Sequence, residues 1–225
     1  MTHTTNAPAR PPRVELLEIC GSDEGIALSA WTSTSRDIDD DKRARVPALL
    51  ARLWNDGHHT PFEKSYFRFL VKCDKATEVH ILKHRIGVSV NGESARYKTL
   101  TNPTAHIPAD WPEDLQRDLE AHFAASAELY ERALVRLSDP ATHPGNRKRA
   151  KESARYFLPL CLQTTLDVSF NWRSFAHFLS LRASHHAQQE VQSIAREMLD
   201  LVEERGGFST VCALMRAELA KEAES

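Results

Sequence analysis

The segment Lys83–Lys98, "KHRIGVSVNGESARYK", concentrates the polar groups that could bind a small charged ligand. Its sixteen residues include four lysines or arginines, two serines, one asparagine, one glutamate and two glycines. This composition is compatible with a solvated turn, a metal site, a strip for nucleic acid or a cradle for a small anion. Other residues of the chain are needed to choose among these four possibilities.

Four arginines occur where a fully solvated position would be unusual: Arg96 in "SARY", Arg155 in "SARYF", Arg173 in "NWRSF" and Arg182 in "LSLRASHH". Each is flanked by apolar or aromatic residues, so each is expected to extend from buried backbone. The rigid guanidinium fork matches phosphate and carboxylate. An internal salt bridge would explain one such arginine. Four of them, with the hydroxyl of Ser94 nearby, favour a phosphorylated ligand.

Spacing along one predicted helix separates these arginines into two groups. Arg173 and His177 are four residues apart and share a helix face. Arg182 follows Arg173 by nine residues, which is about half a turn around the helix. Arg182 is therefore expected to face a different ligand or a different subunit.

Histidines and acids also cluster, but their surroundings argue against a metal centre. His80 and His84 have a spacing that lets two imidazoles on a helix meet one ion. The glutamate that a zinc-peptidase helix needs after its first histidine is missing, and Lys83 and Arg85 would repel a dication. No metal is predicted, either here or at the other two clusters: His58, His59 and Glu63, and His185, His186 and Glu190.

The sequence also lacks the usual signatures of a nucleophilic thiol or serine and of a phosphate-binding loop. The four cysteines are far apart and form no C-x-x-C pair, which argues against a disulfide framework or a thiolate zinc site. Cys161 lies between apolar residues in "LPLCLQ" and is expected to be a packing residue. There is no Gly-x-Ser-x-Gly elbow and no glycine-rich phosphate loop.

The whole chain has the composition of an ordinary globular protein. It has 225 residues, 41% hydrophobic and 27% charged, with a net charge of -2. The charge argues against nucleic acid as a partner bound through bulk electrostatics. No stretch is long and apolar enough for a membrane span. Residues 1–12 are predicted to be a disordered lead without a signal peptide, and residues 13–225 a cytoplasmic domain.

The elements that must position these groups alternate between strands and helices. The pattern predicts a single α+β domain with a mostly antiparallel central sheet flanked by helices. In "KSYFRFLVKC", four apolar side chains are expected on one face: Phe67, Phe69, Val71 and Cys73. The predicted strands lie in "RVELLEIC", "KSYFRFLVKC" and "LCLQTTLDVSFN". The predicted helices lie at about 38–55, in "KATEVHILKHRIG", at Glu113–Leu137, from "KESARYFLP", at about 172–204 and at the C-terminus.

Four blocks in this order resemble the flavin-dependent thymidylate synthases, or thymidylate synthase complementing proteins. That family's signature is Arg-His-Arg, seven residues, and Ser-x-Arg-Tyr. Here Lys83-His84-Arg85 precedes Ser94-Ala95-Arg96-Tyr97 by eight residues. The other similar blocks are "HHTPFEKSYFRFLVKC", "ARYFLPL" and "NWRSFAHFLSLRASHHAQQE". Together they cover roughly residues 28–205.

The resemblance implies a homotetramer that binds FAD and dUMP where subunits meet. It implies 5,10-methylenetetrahydrofolate as carbon donor and NADPH as reductant. Residues implied to lie along FAD are Thr60, Glu63, Lys83, His84, Arg85, Asn171, Trp172, Arg173 and His177, with Ser33 a looser match. Residues implied to hold dUMP are His80, Lys83, Glu93, Ser94, Arg96, Arg155 and Arg182. Arg182 matches the arginine that stabilises ionised uracil and is the predicted catalytic residue.

The implied chemistry agrees with the residues of the chain. Uracil C5 is a poor nucleophile until negative charge develops on the ring, and a fixed guanidinium stabilises that charge. No enzyme thiol is needed, and reduced flavin supplies the hydride. The alternatives are a related methylase or hydroxymethylase acting on another pyrimidine nucleotide, a non-catalytic nucleotide- or nucleic-acid-binding oligomer, and a histidine metalloenzyme.

The signature departs from the family pattern at two places. Lys83 replaces the first arginine, which keeps the charge but loses the bidentate fork. The spacer is one residue longer, so Gly92 occupies the usual glutamate position and Glu93 the next one. The extra residue is expected to be absorbed in a loop that the glycines permit.

Overall fold

The computed structural model describes residues 13–97, 100, 102–140 and 147–223. Within these residues, four antiparallel strands form one sheet in the order β1-β2-β4-β3. The strands are β1 (Arg13–Cys20), β2 (Tyr66–Asp74), β3 (Val88–Gly92) and β4 (Gln163–Phe170). The predicted disordered lead at residues 1–12 lies outside the described residues.

Helices make up most of the remaining described structure, which confirms the predicted α+β class. They are α1 (Asp23–Trp31), α2 (Asp40–Asn55), α3 (Lys75–Leu82), α4 (Glu113–Leu137), α5 (Arg147–Ala154), α6 (Trp172–Arg182), α7 (Gln189–Arg205) and α8 (Ser209–Ala223). Short 3-10 helices occur at Thr60–Lys64 and Arg155–Phe157. Among the described helices, none has both the length and the apolar character that crossing a membrane requires.

The prediction of one helix over about residues 172–204 is wrong, because the chain breaks between α6 and α7. At the break, the hydroxyl of Ser184 accepts from the backbone N–H of His186 at 3.3 Å. The side chain of Gln192 donates to the Ser184 carbonyl at 2.5 Å. A serine side chain that bonds nearby backbone competes with the helical ladder, which accounts for the interruption. Two elements, α1 and β3, were absent from the predicted set.

Contacts between residues divide the chain into two compact units, and the second contains the larger aromatic core. This second unit comprises Arg13–Val71, His80–Asn91 and the chain from Asp167 onward. The ring of Phe67 in β2 lies 5.9 Å from Trp172 and 5.5 Å from Phe175, both in α6. Phe208 stacks on Trp172 at 6.2 Å. All four side chains are fully buried, so they fix α6 against β2.

The alternation predicted for β2 is confirmed, since Phe67, Phe69, Val71 and Cys73 are each fully buried. On the opposite face of the strand, Arg68 forms a bidentate pair with Asp167 of β4, with N–O distances of 2.9 Å and 2.6 Å. The Arg68 guanidinium holds the pKa of the Asp167 carboxyl below its ordinary value. This cross-strand pair fixes the register of the two strands in the second unit.

The first unit has a smaller apolar core of its own. The described part of this unit comprises Lys72–Val79 and Gly92–Leu166. The amphipathic helix α4 contributes Phe123, which packs with Ala105, Ile107 and Leu162. Cys161 packs against this cluster, as its apolar neighbours predicted, although it is only half-buried.

Candidate active site

A surface cavity of about 460 Å³ in the second unit brings together four of the residues predicted to lie along FAD. They are Glu63, Asn171, Arg173 and His177, which come from the first 3-10 helix and the start of α6. Residues four apart on α6 share a face, so Arg173 and His177 reach the same cavity, as their spacing predicted.

The N-terminus of α6 is held by a reciprocal capping box. The side chain of Asn171 accepts from the backbone N–H of Ser174 at 2.9 Å. In return, the Ser174 hydroxyl accepts from the backbone N–H of Asn171 at 3.1 Å. These two bonds satisfy donors that the first helical turn would otherwise leave unpaired. They fix the backbone from which Arg173 projects.

Arg173 is paired with Glu63, whose carboxylate oxygen lies 2.6 Å from its Nη1. Both residues are exposed. The expectation that all four arginines extend from buried positions is therefore wrong for Arg173, because it lies on the solvent side of the first turn of α6. An exposed pair is worth at most about 1 kcal/mol, so it can exchange partners with a ligand.

Eight further residues line the cavity and were not among the predicted contacts, among them Trp54, His59 and Glu218. The ring of Trp54 stacks on that of His59 at 4.6 Å, and its indole N–H donates to Glu218. The half-buried aromatic wall could have been suspected from Trp54 and His59 in "LWNDGHHT". Glu218 comes from α8, far along the chain, and no local pattern marks it.

Arg182 lies at the end of α6 between two histidines of the predicted substrate and flavin sets. Its Nε donates to Nε2 of His84 at 3.0 Å. Its Nη1 lies 3.4 Å from Nδ1 of His80. His84 is buried, and its ring lies 5.9 Å from that of His177 and 5.0 Å from Phe178. The structure thus brings His80, His84, His177 and Arg182 together.

Burial lowers the pKa of His84 to about 4, and the positive charge of Arg182 acts in the same direction. His84 is therefore a neutral imidazole at neutral pH, with one nitrogen available as an acceptor. Within the described part of the chain, Arg182 forms no salt bridge with a carboxylate. Its Nε–H is bonded instead to the neutral imidazole of His84.

In the first unit, hydrogen bonds link Ser94, Arg96 and Arg155 with Glu152, a residue that was not predicted. Arg96 donates to Glu152 from Nε at 2.6 Å and also pairs through Nη2. The backbone N–H of Arg96 donates to Ser94 Oγ at 3.3 Å, and Arg155 Nε donates to the carbonyl of Glu152 at 3.2 Å. The expected buried position is wrong for Arg155, which lies exposed in a 3-10 helix.

Residues 88–92 of the spacer form strand β3, which follows a turn at Gly87 with a φ of +70°. Gly92 ends that strand, and a Cβ there would lie 3.0 Å from the Leu166 side chain and 3.4 Å from a Glu78 carboxylate oxygen. A glutamate at position 92 would crowd both groups. The next residue, Glu93, donates its backbone N–H to Thr165 at 2.8 Å.

The other residues predicted to lie along FAD are not among those lining the cavity. Trp172 is fully buried among Phe67, Phe175 and Phe208, so its ring is a core residue here. His84 is buried beside Arg182, and the remaining four are exposed: Ser33 after α1, Thr60 at the start of the 3-10 helix, and Lys83 and Arg85 after α3.

Two further groups bear on catalysis by a metal or a thiol. Ligand atoms of His185, His186 and Glu222 lie within 4.8 Å of one another, a different grouping from the three histidine clusters weighed in the sequence.

Burial raises the pKa values of the Cys73 and Cys212 thiols to about 12 and also raises that of Cys161. None of these three thiols is activated as a thiolate nucleophile.

Comparison with known proteins reveals relatives along most of the chain. The flavin-dependent thymidylate synthase of Pseudothermotoga lettingae is 33% identical over 199 residues, covering 88% of this chain and 86% of the relative. That of Thermotoga neapolitana is 30% identical over 203 residues, covering 85% and 86%. The crystal structure of the UMP/dUMP methylase PolB from Streptomyces cacaoi, bound with 5-Br UMP, has the same fold. Its TM-score is 0.76 at 24% identity, over 94% of this chain and 96% of that one.

The family described as thymidylate synthase complementing protein matches residues 15–205. This span contains the signature, most of the cavity residues and Arg182. The resemblance inferred from the four sequence blocks is thus confirmed. The chain belongs to the thymidylate synthase complementing protein family, the flavin-dependent thymidylate synthases, and is an enzyme of that class.

Proposed function

We propose that this enzyme converts dUMP to dTMP by FAD-dependent reductive methylation in the cytoplasm. The carbon donor is 5,10-methylenetetrahydrofolate, the reductant is NADPH, and the working form is a homotetramer. Membership of the family supports the use of a flavin. The observation that carries the proposal for this chain is Arg182, a guanidinium that donates to the imidazole of His84 and lies beside His80, with no salt bridge to a described carboxylate.

The cavity in the second unit fits part of a flavin. Trp54 and Ile86 offer apolar surface to a planar ring, and Asn171 and Arg173 offer polar groups to its carbonyl edge. Glu63, Arg173 and His177 are the residues of the cavity that would hold FAD, with Lys83, His84 and Arg85 on the adjoining segment. When bound and reduced, FAD supplies the hydride that completes the methyl group.

Arg182 would act on the nucleotide. Negative charge on the ring at N3 and O4 makes uracil C5 nucleophilic enough to attack the one-carbon unit. A guanidinium that is already oriented stabilises this charge without reorganising, and a site that excludes water strengthens the effect. His80, 3.4 Å from Nη1, lies beside the same group.

The phosphate of the nucleotide would be bound by Ser94, Arg96 and Arg155. Arg96 offers a planar donor fork and Ser94 a hydroxyl. Glu152 now accepts from Arg96, so phosphate would compete with that carboxylate for the guanidinium. Glu93 and Lys83 complete the residues proposed to contact the nucleotide.

A related pyrimidine nucleotide is the second candidate substrate. This alternative is favoured by Gly92, which replaces the family's glutamate with a residue that Leu166 and Glu78 leave little room to enlarge. The similarly folded protein PolB is named a UMP/dUMP methylase. Assays with dUMP, UMP and dCMP, with each product identified by mass, separate the candidates.

The direct test is the variant Arg182→Ala, with Arg117→Ala as a control at an exposed position on α4. The flavin absorbance of the purified variant should match that of the wild type, while turnover of dUMP should fall by about 100-fold or more. Arg117→Ala should leave both unchanged. Near-normal turnover by folded, flavin-loaded Arg182→Ala would overturn the assignment of Arg182.

A further inference from the structure

We propose that His84 is a positioning residue for the catalytic arginine: its Nε2 accepts the Nε–H of Arg182 and sets the plane of the guanidinium. This inference rests on the proposed function, in which Arg182 stabilises the ionised uracil. It gives the histidine of the Lys83-His84-Arg85 signature a role in addition to the contact with FAD proposed above.

The hydrogen bond between the two side chains is short and comes from a fixed imidazole. Arg182 Nε lies 3.0 Å from His84 Nε2. The His84 ring packs edge-on against Phe178 at 5.0 Å. Its backbone N–H donates to the carbonyl of Ile81 at 3.1 Å, which anchors the segment to the end of α3. An acceptor held in this way constrains the guanidinium, because the donors of arginine form one rigid plane.

The bond from Nε leaves donors of Arg182 for a ligand. Nε–H points to one side of the guanidinium, and Nη1 lies near His80 at 3.4 Å. Nη2 makes no hydrogen bond with the described residues. His84 thus holds one end of the guanidinium and leaves Nη2 without a hydrogen bond to the described residues.

The charged groups around His84 favour its neutral form. On α6, His84 faces Arg182 and His177. His80 on α3 lies beside the same arginine. The adjoining Lys83 and Arg85 are exposed cations. Among the described residues, no carboxylate forms a salt bridge with His84. Burial and the Arg182 charge lower the pKa of His84 to about 4, so Nε2 keeps its lone pair at neutral pH.

The location of His84 suits a role that acts through Arg182. It is 8% exposed and does not line the cavity, whereas its neighbour His177 is exposed and does. A side chain that is buried and bonded to Arg182 can influence the reaction through that arginine. Loss of such support is costly, because a displacement of about 1 Å at a catalytic group lowers a rate by roughly 100-fold.

The first experiment compares His84→Leu with His84→Gln in the FAD-loaded enzyme. His84→Leu removes the acceptor, and we expect kcat to fall by roughly 100-fold with little change in the KM for dUMP. His84→Gln restores a neutral acceptor and should recover part of the loss. Each variant is assayed at saturating FAD, with the occupancy read from flavin absorbance, so that a contact of His84 with FAD does not enter the comparison. A kcat that returns to the wild-type value at matched FAD occupancy would overturn the proposal.

A double-mutant cycle with Arg182→Lys tests whether His84 acts through the arginine. Lysine lacks the Nε donor, so adding His84→Leu to Arg182→Lys should change kcat by less than roughly threefold. A full 100-fold further loss would overturn the positioning role while leaving the proposed function intact. Unimpaired turnover by Arg182→Lys alone would contradict the proposed function itself.

Nitrogen NMR of the His84 side chain provides a readout that does not depend on turnover or on the folding of a His84 variant. In the wild-type enzyme at pH 7, the proton should reside on Nδ1 and Nε2 should be bare. In Arg182→Ala this tautomer preference should weaken. A proton on Nε2 in the wild type would exclude the proposed hydrogen bond.

Discussion

The hydroxyl of Ser174 donates to the backbone carbonyl of Gly87 at 2.7 Å, which fastens the end of the signature turn to the N-terminus of α6. Gly87 has a φ of +70°, and a Cβ at this position would lie 3.0 Å from Ser174 Cβ and 3.2 Å from the Asn171 side chain. A glycine is thus needed for both its conformation and its close approach. The contact places the turn that carries His84 beside the helix that carries Arg182.

We expect Gly87→Ala to lower the free energy of unfolding by about 1–3 kcal/mol and to weaken FAD binding. Gly57→Ala is a matched control, because Gly57 has a φ of +74° but no described atom within 4 Å of the position that its Cβ would occupy. Denaturant unfolding and flavin titration of both variants would separate backbone strain from crowding. Equal destabilisation of the two variants would show that the contact with α6 contributes little.

Local patterns predicted those elements whose apolar periodicity is strong. The bounds of α4 are those predicted, and the alternation from Phe67 to Cys73 gave the correct buried face of β2. β3 was missed because it is only five residues long and just two of them, Val88 and Val90, are apolar, so its alternation is a weak signal. The break after α6 depends on side-chain bonds of Ser184 and Gln192, which periodicity does not encode.

The sequence predicted which residues belong to the site, but not which side chains they pair with. The spacing of Arg173 and His177 correctly placed both at one cavity. Partners that are distant in sequence were missed: Glu152 lies 56 residues from Arg96, and Glu218 lies 164 residues from Trp54. Such pairs arise from tertiary packing, so a single sequence without the fold does not identify them.

Acid should destabilise the folded chain through His84. Its pKa is lowered from 6.5 to about 4 in the folded state by burial and by Arg182. As pH falls below about 6.5, the unfolded chain binds a proton that the folded chain does not bind until about pH 4. The free energy of unfolding should therefore decrease between about pH 6.5 and pH 4. Below pH 4, His84 should cause no further decrease.

The measurement is the free energy of unfolding as a function of pH for the wild type and His84→Gln. After allowance for solvent screening, His84 should account for a loss of about 1–2 kcal/mol between the two ends of the window. The glutamine variant should show a correspondingly shallower decrease. Parallel curves for the two proteins would mean that His84 titrates alike in the folded and unfolded states.

Glu152→Gln should tighten the binding of dUMP. The substitution removes the negative charge that pairs with Arg96 at 2.6 Å but retains a side chain of similar size. Because phosphate would no longer compete with a carboxylate, we expect the Kd for dUMP to fall by about twofold to tenfold at low salt. Calorimetry against deoxyuridine, which lacks the phosphate, is the control and should show no gain. Weaker dUMP binding would indicate that Glu152 chiefly orients Arg96.

Cys161→Ala should retain catalysis, because the proposed reaction uses no enzyme thiol. Burial raises the pKa of Cys161, and its side chain packs beside the cluster of Phe123 and Leu162. We expect kcat within about twofold of the wild type and a stability loss of about 1 kcal/mol for the removed packing. Cys73→Ala is the comparison at a fully buried site and should be destabilised more. Steady-state turnover and thermal unfolding check both expectations. If Cys161→Ala folded, bound FAD and had no turnover, the thiol-free reaction would be wrong, since no other property of this half-buried side chain would account for that result.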